Sequence, residues 1–364
     1  MKKVAILTIH IGINFGSILQ TIASYETVKQ LGYEPIIVNY IPKRATLKHY
    51  IKGAFASPIR FAWRSIFLPI YLKYHSIYRC YLARHVNLSN PIYDSDSFVD
   101  KCPKSDVYVV GSDQVWNSLH NEGFNGRYFF EGIDKNAYKI ALCSSFGRSE
   151  IDALEQKKVK GLLDGFKAIS VREDSGVDIL NKIGIKSEQL IDPTFLFTKE
   201  IWGKYASQRI EKEPYVLVYT PYNTVNASII YGSARNLADK YGLKVVTFSW
   251  KAKRESLADR TVLFADPGDF LSLMLHADYV ITNSFHGTAF SINMNKQFWV
   301  FQPSAFSTRI ESILKLTGLR DRMLMGKITD DDIMRIDYKD INTILESERK
   351  KCINFLKNAL QECI

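Results

Sequence analysis

The sequence lacks a run of apolar residues long enough to cross a membrane, and its cysteines lack the spacing of a metal or redox motif. A membrane-spanning helix needs about 20 predominantly apolar residues, and no such stretch occurs in the 364 residues. Five cysteines form an odd set without a CxxC pair, which argues against a zinc or thioredoxin-type site and predicts a reducing, cytoplasmic location. The N-terminal MKKVAILTIHIG has no small-residue cleavage site, so it predicts a first strand rather than a signal peptide.

Acidic residues are also missing from one long interval. Between Glu34 and Asp94 there is no Asp or Glu, although the chain carries 38 acidic residues. Removing the nine basic residues of this interval from the total of 48 leaves 39, so the interval accounts for nearly all of the net charge of +10. The nine are Lys43, Arg44, Lys48, Lys52, Arg60, Arg64, Lys73, Arg79 and Arg84.

Aromatic residues recur through the same interval at a spacing of three or four, which predicts a helical insertion over about residues 43–90. A basic helical segment with an aromatic face suits the surface of an anionic membrane, and residues 43–85 are the expected contact. An insertion that covers a core and keeps its basic side in water explains the same pattern. Nucleic acid is not an expected partner, because the sequence has no recognised nucleic-acid motif.

Short apolar runs alternate with amphipathic helices along both halves of the chain, which predicts an α/β protein with two parallel sheets. The length suggests two domains at roughly 150 residues each, and a hydrophobic content of 46% is ordinary for a soluble protein. An amphipathic helix is predicted over about residues 340–360. The predicted strands are Val4–Ile9, Pro35–Tyr40, Asp106–Gly111, Tyr138–Cys143, Ala168–Val171, Tyr215–Thr220, Lys244–Phe248, Asp278–Thr282 and Phe298–Phe301.

Unusual loops follow several of these strands, at the strand ends where open α/β sheets bind ligands. Gly12–Ser17 permits close backbone approach and opens a helix whose N-terminus attracts anions; the alternative is a plain turn with Ser17 as N-cap. Gly111–Asn117 carries Asp113, which could accept a proton from a hydroxyl, and Trp116, which could stack on a sugar. The alternative for this loop is an Asx-turn over a buried tryptophan.

Two further loops lie at strand ends in the first half. Cys143–Arg148 has small hydroxyl residues that leave room for a ligand, while Cys143 itself is expected to be buried rather than nucleophilic. Val171–Asp174 places Arg172 directly before two carboxylates. That arginine is either part of a salt-bridged structural element or a side chain that faces the cleft.

The strongest signal lies in the second half, in the loop Thr282–Thr288. It places His286 and Gly287 at the N-terminus of a predicted helix. Backbone N–H groups at such an end face a phosphate or a carboxylate. A bound anion there favours the imidazolium form of the histidine, which could then act as an acid near neutral pH.

Six stretches that occur in order from residue 14 to about 290 resemble the polysaccharide pyruvyl transferase family. They read NFGSILQ, VGSDQVWN, CSSFG, SVRED, IDPTF and ITNSFHG, of which VGSDQVWN and SFHG are the specific ones. The resemblance implies a GT-B-like fold with two Rossmann-like domains facing across a cleft. The domains are expected at residues 1–200 and 210–335, with a terminal helix at 338–364 crossing back onto the first.

The reaction that this resemblance implies moves pyruvate from phosphoenolpyruvate onto two hydroxyls of one sugar, as a cyclic ketal, and releases phosphate. Phosphoenolpyruvate is then a co-substrate, and no metal or other cofactor is expected. His286 matches the family's active-site histidine and is assigned acid/base work or phosphate binding, while Asp113 is the candidate for activating the acceptor hydroxyl. The acceptor is expected to be a galactose-type sugar of a polyprenyl-linked surface-polysaccharide precursor.

The expected binding residues come from the same loops. The residues expected to bind the donor are Asn14, Gly16, Ser17, Arg172, Ser284, Phe285, Gly287, Thr288 and Arg309. The residues expected to bind the acceptor are Ser112, Gln114, Trp116, Asn117, Ser144 and Ser145.

One departure from the family pattern concerns the charge of the donor site. Members of the family often read Arg–Leu–His–Gly where this chain reads Ser284–Phe285–His286–Gly287, so an anionic donor loses one expected cation. The candidates to replace it are Arg148, Arg172, Lys251, Arg254 and Arg309, with a plain surface charge as the alternative for Arg309. The departure keeps two other hypotheses open: a GT-B-like glycosyltransferase with a nucleotide-sugar donor, and a non-catalytic saccharide-binding protein that has lost its donor site.

Overall fold

The computed structural model describes residues 1–52, 57–221, 227–250, 254–303 and 307–362. By its internal contacts the chain divides into two compact units. Unit 1 comprises Met1–Ile13, Ser17–Leu196 and Glu348–Ile364, and unit 2 comprises Asn14–Gly16 and Phe197–Ser347. The short segment Asn14–Gly16 therefore groups with the second unit, although the residues on both sides of it belong to the first.

Unit 1 is built around a six-stranded parallel sheet, whose strands lie in the order Glu34–Ile37, Lys3–Leu7, Val107–Val110, Tyr138–Ser144, Phe166–Val171 and Glu188–Gln189. The strands Lys3–Leu7 and Val107–Val110 are buried almost throughout, which explains why their sequences are nearly continuous apolar runs. The strands of this unit are β1 (Lys3–Leu7), β2 (Glu34–Ile37), β3 (Tyr40–Ile41), β4 (Ile92–Tyr93), β5 (Val107–Val110), β6 (Tyr138–Ser144), β7 (Phe166–Val171) and β8 (Glu188–Gln189). The helices are α1 (Phe15–Gln30), α2 (Leu47–Lys52), α3 (Pro58–His85), α4 (Phe98–Lys101), α5 (Ala153–Leu163) and α6 (Asp174–Lys182).

The acid-free interval forms a helical excursion from this sheet. The chain leaves at β3 and returns at β4, and these two short strands pair in parallel. In the last turns of α3 the side chains of Tyr74, Tyr78 and Tyr81 are buried, whereas Phe61 and Ile66 near its start are exposed. The insertion thus covers part of the core at one end and presents apolar side chains to solvent at the other. None of the helices within the described residues has the length and apolarity needed to cross a bilayer.

Unit 2 repeats the architecture with a second six-stranded parallel sheet, in the order β11-β10-β9-β12-β13-β14. The predicted α/β fold with two parallel sheets is therefore confirmed. Its strands are β9 (Tyr215–Tyr219), β10 (Lys244–Ser249), β11 (Arg260–Leu263), β12 (Tyr279–Thr282), β13 (Gln297–Phe301) and β14 (Met323–Leu324). Its helices are α7 (Lys199–Gly203), α8 (Ala227–Tyr241), α9 (Pro267–His276), α10 (Phe285–Asn293) and α11 (Thr308–Leu316).

The last helix, α12 (Lys339–Gln361), begins among the residues of unit 2 and ends among those of unit 1. Within unit 1 its buried face carries Cys352, whose Sγ lies 3.9 Å from the Sγ of Cys143 at the end of β6. Arg349 donates from Nε to the carbonyl of Phe195 at 2.6 Å. Burial raises the pKa of the Cys143 thiol well above its ordinary value, which agrees with the prediction that this cysteine is a buried residue and not a nucleophile.

Candidate active site

The candidate site in unit 1 is organised by one buried guanidinium. Arg172, directly after β7, has a fully buried side chain and donates from Nη1 to Oδ2 of Asp192 at 2.5 Å. Its Nη2 lies 3.3 Å from Oδ1 of Asp113, and its Nε lies 3.9 Å from Oε2 of Glu173. Burial by itself lowers the pKa of Arg172, but the three carboxylates outweigh it and the net pKa is raised. The cation is therefore retained in a place where an unpaired charge would be very costly.

Asp113 is held in a strained conformation by this cluster. Its φ of 71° lies in the left-handed region, which is uncommon for a residue other than glycine. Oδ2 accepts from the hydroxyl of Ser17 at 2.5 Å, and Oδ1 accepts from the backbone N–H of Gln114 at 2.9 Å. Ser112 donates its hydroxyl to Asp192 at 2.8 Å, so the residues on both sides of Asp113 are fixed as well. Strain of this kind persists where the surroundings overdetermine it, and it concentrates at functional sites.

The loop after β6 is clamped by the carboxylate of Glu173. Its Oε1 accepts from the hydroxyl of Ser145 and from the backbone N–H groups of Phe146 and Gly147, at 2.9, 2.9 and 3.0 Å. Gly147 has a φ of 61°, and a Cβ there would lie 2.6 Å from Oε1 of Gln114. Two neighbouring loops are thereby locked together at the carboxyl edge of the sheet.

The residues expected to bind the acceptor are brought together here, and within unit 1 their side chains bind one another. Each is at most 3% exposed. Ser144 donates to the carbonyl of Gly111, and Asn117 donates to the side chain of Gln114. The observed role of Ser112, Gln114, Asn117, Ser144 and Ser145 is thus to hold the loops in place, and their contact with an acceptor stays a prediction.

Trp116 belongs to the core as well. Its ring stacks on Phe129 at a centroid distance of 5.2 Å, Phe146 packs beside it at 5.2 Å, and its indole N–H donates to the carbonyl of Tyr128. With 2% of its surface exposed, the ring has no face for a sugar. The observed packing fits the alternative of a turn over a buried tryptophan, and no contact of Trp116 among the described residues supports sugar stacking. Arg172 fits the salt-bridged alternative in the same way, because carboxylates bind its guanidinium, and its role in donor binding stays a prediction.

The candidate site in unit 2 lies where β12 passes into α10. The backbone N–H of Ser284 donates to Oγ1 of Thr282 at 3.1 Å, and that hydroxyl donates to the carbonyl of Tyr219 at 2.6 Å. A Cβ on Gly287 would lie 2.2 Å from the same Oγ1, so glycine is required for this close approach. Thr288, one of the expected donor ligands, instead donates its hydroxyl to the carbonyl of Ser284 at 2.9 Å inside the helix. The tight turn leaves the N-terminus of α10, with its positive dipole end, directly at His286.

His286 is 2% exposed and lies against the backbone of Gly16. A Cβ on Gly16 would be only 1.9 Å from Cγ of the imidazole. Gly16 donates its backbone N–H to Oδ1 of Asn14 at 2.9 Å, and the ring of Phe15 stacks on Phe270 with centroids 4.9 Å apart. Asn14 and Gly16, both expected donor residues, therefore lie with His286 in unit 2. Ser17, the third residue of that loop in the expected set, lies with Asp113 in unit 1 instead.

A buried arginine stands beside this loop. The guanidinium carbon of Arg309, in α11, is 5.4 Å from the centroid of the Phe285 ring, which is cation–π distance. Arg309 is 3% exposed, so the alternative of a plain surface charge is wrong. Of the other candidates for the missing cation, Arg148 is engaged with Glu155 at 2.7 Å, Arg254 is exposed, and Lys251 lies outside the described residues.

The sequence profile of the polysaccharide pyruvyl transferase family matches residues 14–304. The chain belongs to this family. The family resemblance inferred from the six stretches is thus confirmed, and the protein is a transferase, of a family whose members use a pyruvate donor and a polysaccharide acceptor. No curated protein sequence is significantly similar to the chain.

Solved structures of other enzymes share the fold. MnaA of S. aureus in a structure with UDP has a TM-score of 0.52 at 13% identity, covering 98% of this chain and 91% of that one. UDP-GlcNAc 2-epimerase from Neisseria meningitidis, bound to UDP-GlcNAc, has a TM-score of 0.51 at 11% identity and full coverage of both chains. The corresponding epimerase from Rickettsia bellii has a TM-score of 0.52 at 9% identity, covering 100% and 96%. The predicted GT-B-like fold of two Rossmann-like domains is therefore confirmed.

One residue that matters for the arrangement of Asp113 does not follow from the sequence analysis. Asp192 occurs in the stretch IDPTF, where its carboxylate has no predicted role, whereas Glu173 is one of the two carboxylates expected beside Arg172. Asp192 caps the turn that follows it, accepting from the backbone N–H of Thr194 at 3.0 Å, while its other oxygen binds Arg172. An Asp–Pro pair after a strand is a cap signal that could have marked this residue.

We expect Arg172→Gln to lower the free energy of unfolding by about 3–5 kcal/mol, because it leaves buried carboxylates without their cation. Urea unfolding followed by far-UV circular dichroism measures the change. Lys29→Gln is the control, since Lys29 is exposed and pairs with Glu26 at 3.8 Å; its effect should stay within about 0.5 kcal/mol. Equal losses of unfolding free energy in the two variants would contradict a central role for the buried Arg172 guanidinium.

We expect Gly16→Ala to destabilise the protein by about 1–3 kcal/mol, because the new methyl group would overlap the buried ring of His286. In a helix this substitution ordinarily stabilises, by up to about 1 kcal/mol. Gly161→Ala in α5 is the matched control, since nothing lies within 4 Å of a Cβ at that position. The unfolding free energies of the two variants should move in opposite directions. A Gly16→Ala protein as stable as Gly161→Ala would show that the glycine is not needed for packing against His286.

Proposed function

We propose that the protein transfers pyruvate from phosphoenolpyruvate to two hydroxyls of one sugar, forms a cyclic ketal and releases phosphate. The observation that carries this proposal is the buried His286 at the N-terminus of α10, with Arg309 stacked on the adjacent Phe285. Phosphoenolpyruvate has a phosphate and a carboxylate, and a helix N-terminus together with a guanidinium is the kind of surface that holds such groups.

Proton transfer is the first task of the reaction. The methylene carbon of the donor must gain a proton to give an oxocarbenium-like centre at the carbon that bears the phosphate. His286 is proposed to supply that proton, since the adjacent backbone of Gly16 fixes the position of its ring and a bound dianion favours the imidazolium. The positive end of α10 opposes protonation in the absence of donor, so the acid form is linked to donor binding.

Attack by the acceptor follows. One sugar hydroxyl bonds to the central carbon, the carbon–oxygen bond to phosphate breaks, and a second hydroxyl closes the ring. Of the two hydroxyl protons, one replaces the proton that His286 gave to the methyl group and the other leaves with phosphate. Asp113 is proposed to accept the proton of the attacking hydroxyl at Oδ2, where the acceptor would take the place of the Ser17 hydroxyl, while Arg172 and the backbone N–H of Gln114 hold Oδ1. Proton transfer of this kind contributes roughly 10²–10⁴-fold to a rate.

The acceptor is proposed to be a galactose-type sugar on a polyprenyl-linked precursor of a surface polysaccharide. A polysaccharide acceptor follows from the family, and the lipid carrier is proposed from the acid-free, aromatic insertion. The protein would then work at the cytoplasmic face of the inner membrane, with residues 43–85 toward anionic lipid. No metal is part of the proposed reaction, because the cations that it needs are supplied by His286, Arg309 and the end of α10.

We expect His286→Ala to lower kcat for phosphate release by about 10²–10⁴-fold, because the acid is lost, while the fold is retained in far-UV circular dichroism. The assay combines phosphoenolpyruvate with lipid-linked sugars and nitrophenyl galactosides, and mass spectrometry reads the gain of one pyruvate less one water on the sugar. Substantial residual turnover in the His286→Ala variant would contradict the assignment of His286 as the acid. Stabilisation by a nucleotide sugar in a thermal shift, without turnover of phosphoenolpyruvate, would favour the glycosyltransferase hypothesis instead.

A second variant tests the replacement cation. We expect Arg309→Gln to raise KM for phosphoenolpyruvate by about 10- to 100-fold with a smaller effect on kcat, since a hydrogen bond to a charged group is worth about 1.5–3 kcal/mol. Arg320→Gln is the control, because Arg320 is an exposed arginine of the same unit. An unchanged KM in Arg309→Gln would remove Arg309 from the donor site.

A further inference from the structure

A cavity of about 590 Å³ lies in unit 1, between the carboxyl ends of β1 and β2 and the helical insertion. This size falls within the range of small-molecule sites, roughly 300–1,000 Å³. Its floor is formed by His10 and Gly12 after β1 and by Asn39 after β2, and its roof by residues of the segment before α2, of α2 itself and of the second half of α3. The insertion therefore turns an ordinary ligand-binding edge of a parallel sheet into a partly covered pocket.

The wall of this cavity is apolar and cationic at once. Lys48 and Arg79 contribute the positive charges, while Ile18, Tyr78 and Leu82 contribute apolar surface. No Asp or Glu occurs among the described residues that line it, and none exists between residues 34 and 94 to neutralise the charges locally. A ligand complementary to this wall has an anionic group joined to an apolar chain.

His10 strengthens the case for an anionic group. It is 4% exposed, with Nδ1 3.1 Å from the carbonyl oxygen of Thr8 and Nε2 3.2 Å from Oδ1 of Asn39. Asn39 donates its amide N–H to the carbonyl of Ser89, so its Oδ1 is the atom that faces His10. Both imidazole nitrogens therefore face acceptor oxygens, and only the protonated ring can donate to both. Burial lowers the pKa of His10, and a bound anion would favour the protonated ring.

Two short connections link the wall of the cavity to the residues around Asp113. Ile18, in its wall, is the residue after Ser17, whose hydroxyl binds Asp113 at 2.5 Å. On the other side, the carbonyl of Thr8 lies 3.1 Å from Nδ1 of His10, and Thr8 donates its own hydroxyl to the carbonyl of Ser112 at 2.7 Å. The cavity and the proposed base therefore belong to the same edge of the sheet in unit 1.

We propose that this cavity binds the phosphate ester and the first isoprenoid units of a polyprenyl-linked acceptor, with Lys48 and Arg79 on the phosphate. The inference rests on the proposed function, because it makes the cavity the carrier-binding part of the acceptor site. It also assigns a purpose to the acid-free insertion that does not depend on contact with a bilayer.

The test uses Cys80, which lines the cavity and is exposed, whereas Cys102, Cys143 and Cys352 are buried. Cys363 lies outside the described residues, so the full chain is used with Cys363→Ser. Alkylation of Cys80 by a maleimide is followed by mass spectrometry in the presence of geranylgeranyl diphosphate, pyrophosphate alone, or vesicles of phosphatidylglycerol. We expect geranylgeranyl diphosphate to slow alkylation at least tenfold at a concentration where pyrophosphate has little effect.

Two variants make the test specific. Lys48→Gln with Arg79→Gln should weaken the protection by roughly 10- to 100-fold, as expected for the loss of charge-assisted hydrogen bonds. Lys73→Gln is the matched control, because Lys73 is an exposed basic residue of α3 that is not among the residues lining the cavity, and it should leave protection unchanged. Equal weakening by Lys73→Gln, or protection by vesicles and not by the isoprenoid, would overturn the proposal in favour of surface attraction to anionic lipid. Absence of protection by every probe would overturn it as well.

The outcome is separable from that of the proposed reaction. Pyruvyl transfer to a soluble nitrophenyl galactoside does not need the carrier. Transfer without protection of Cys80 would overturn the cavity proposal alone. Protection without transfer to any sugar would support the cavity and count against the proposed donor chemistry.

Discussion

The buried Arg172 guanidinium is the constraint on which the first unit depends. Its partners come from different loops at one edge of the sheet: Asp113 after β5, Asp192 after β8 and Glu173 at the start of α6. A charge inside a protein is tolerable only when it is paired and hydrogen-bonded. The contacts between the guanidinium and its three carboxylates must therefore form together. Through Glu173 the same cluster fixes the loop after β6. Charge satisfaction by Arg172 therefore helps to hold Asp113 at its positive φ, together with the local hydrogen bond from the backbone N–H of Gln114.

The strands that the sequence predicts most clearly are the ones that are fully buried. Strands such as β1, β5 and β9 are buried on both faces, and their nearly continuous apolar runs predict them. The edge strand β11 begins with Arg260 and is half-exposed, so no apolar run marks it. Helix α9 was not predicted either, although Asp266 and Asp269 form a capping box that is readable as a helix start.

Side-chain roles were harder to predict than elements, because they depend on partners distant in sequence. Trp116 stacks on Phe129, and Arg172 binds Asp192, pairs that no local pattern connects. A polar or aromatic residue after a strand has the same signature whether it faces a ligand or a neighbouring loop. The position of His286 at the start of a helix could be predicted, because the apolar strand and the helical pattern meet at that loop. Its contact with Gly16 could not be predicted, since 270 positions separate the two residues in the printed sequence.

The loop from Thr282 to Thr288 depends on a neighbouring helix for a nearby guanidinium. Ser284 is 2% exposed and its backbone N–H is bound to Thr282, so the tight start of α10 has little space for a long cationic side chain. The loop itself has no lysine or arginine. Arg309 comes from α11 instead and lies on the ring of Phe285. An aromatic ring offers a guanidinium a face that an aliphatic side chain does not, so Phe285 keeps a cation beside a loop that carries none of its own apart from His286.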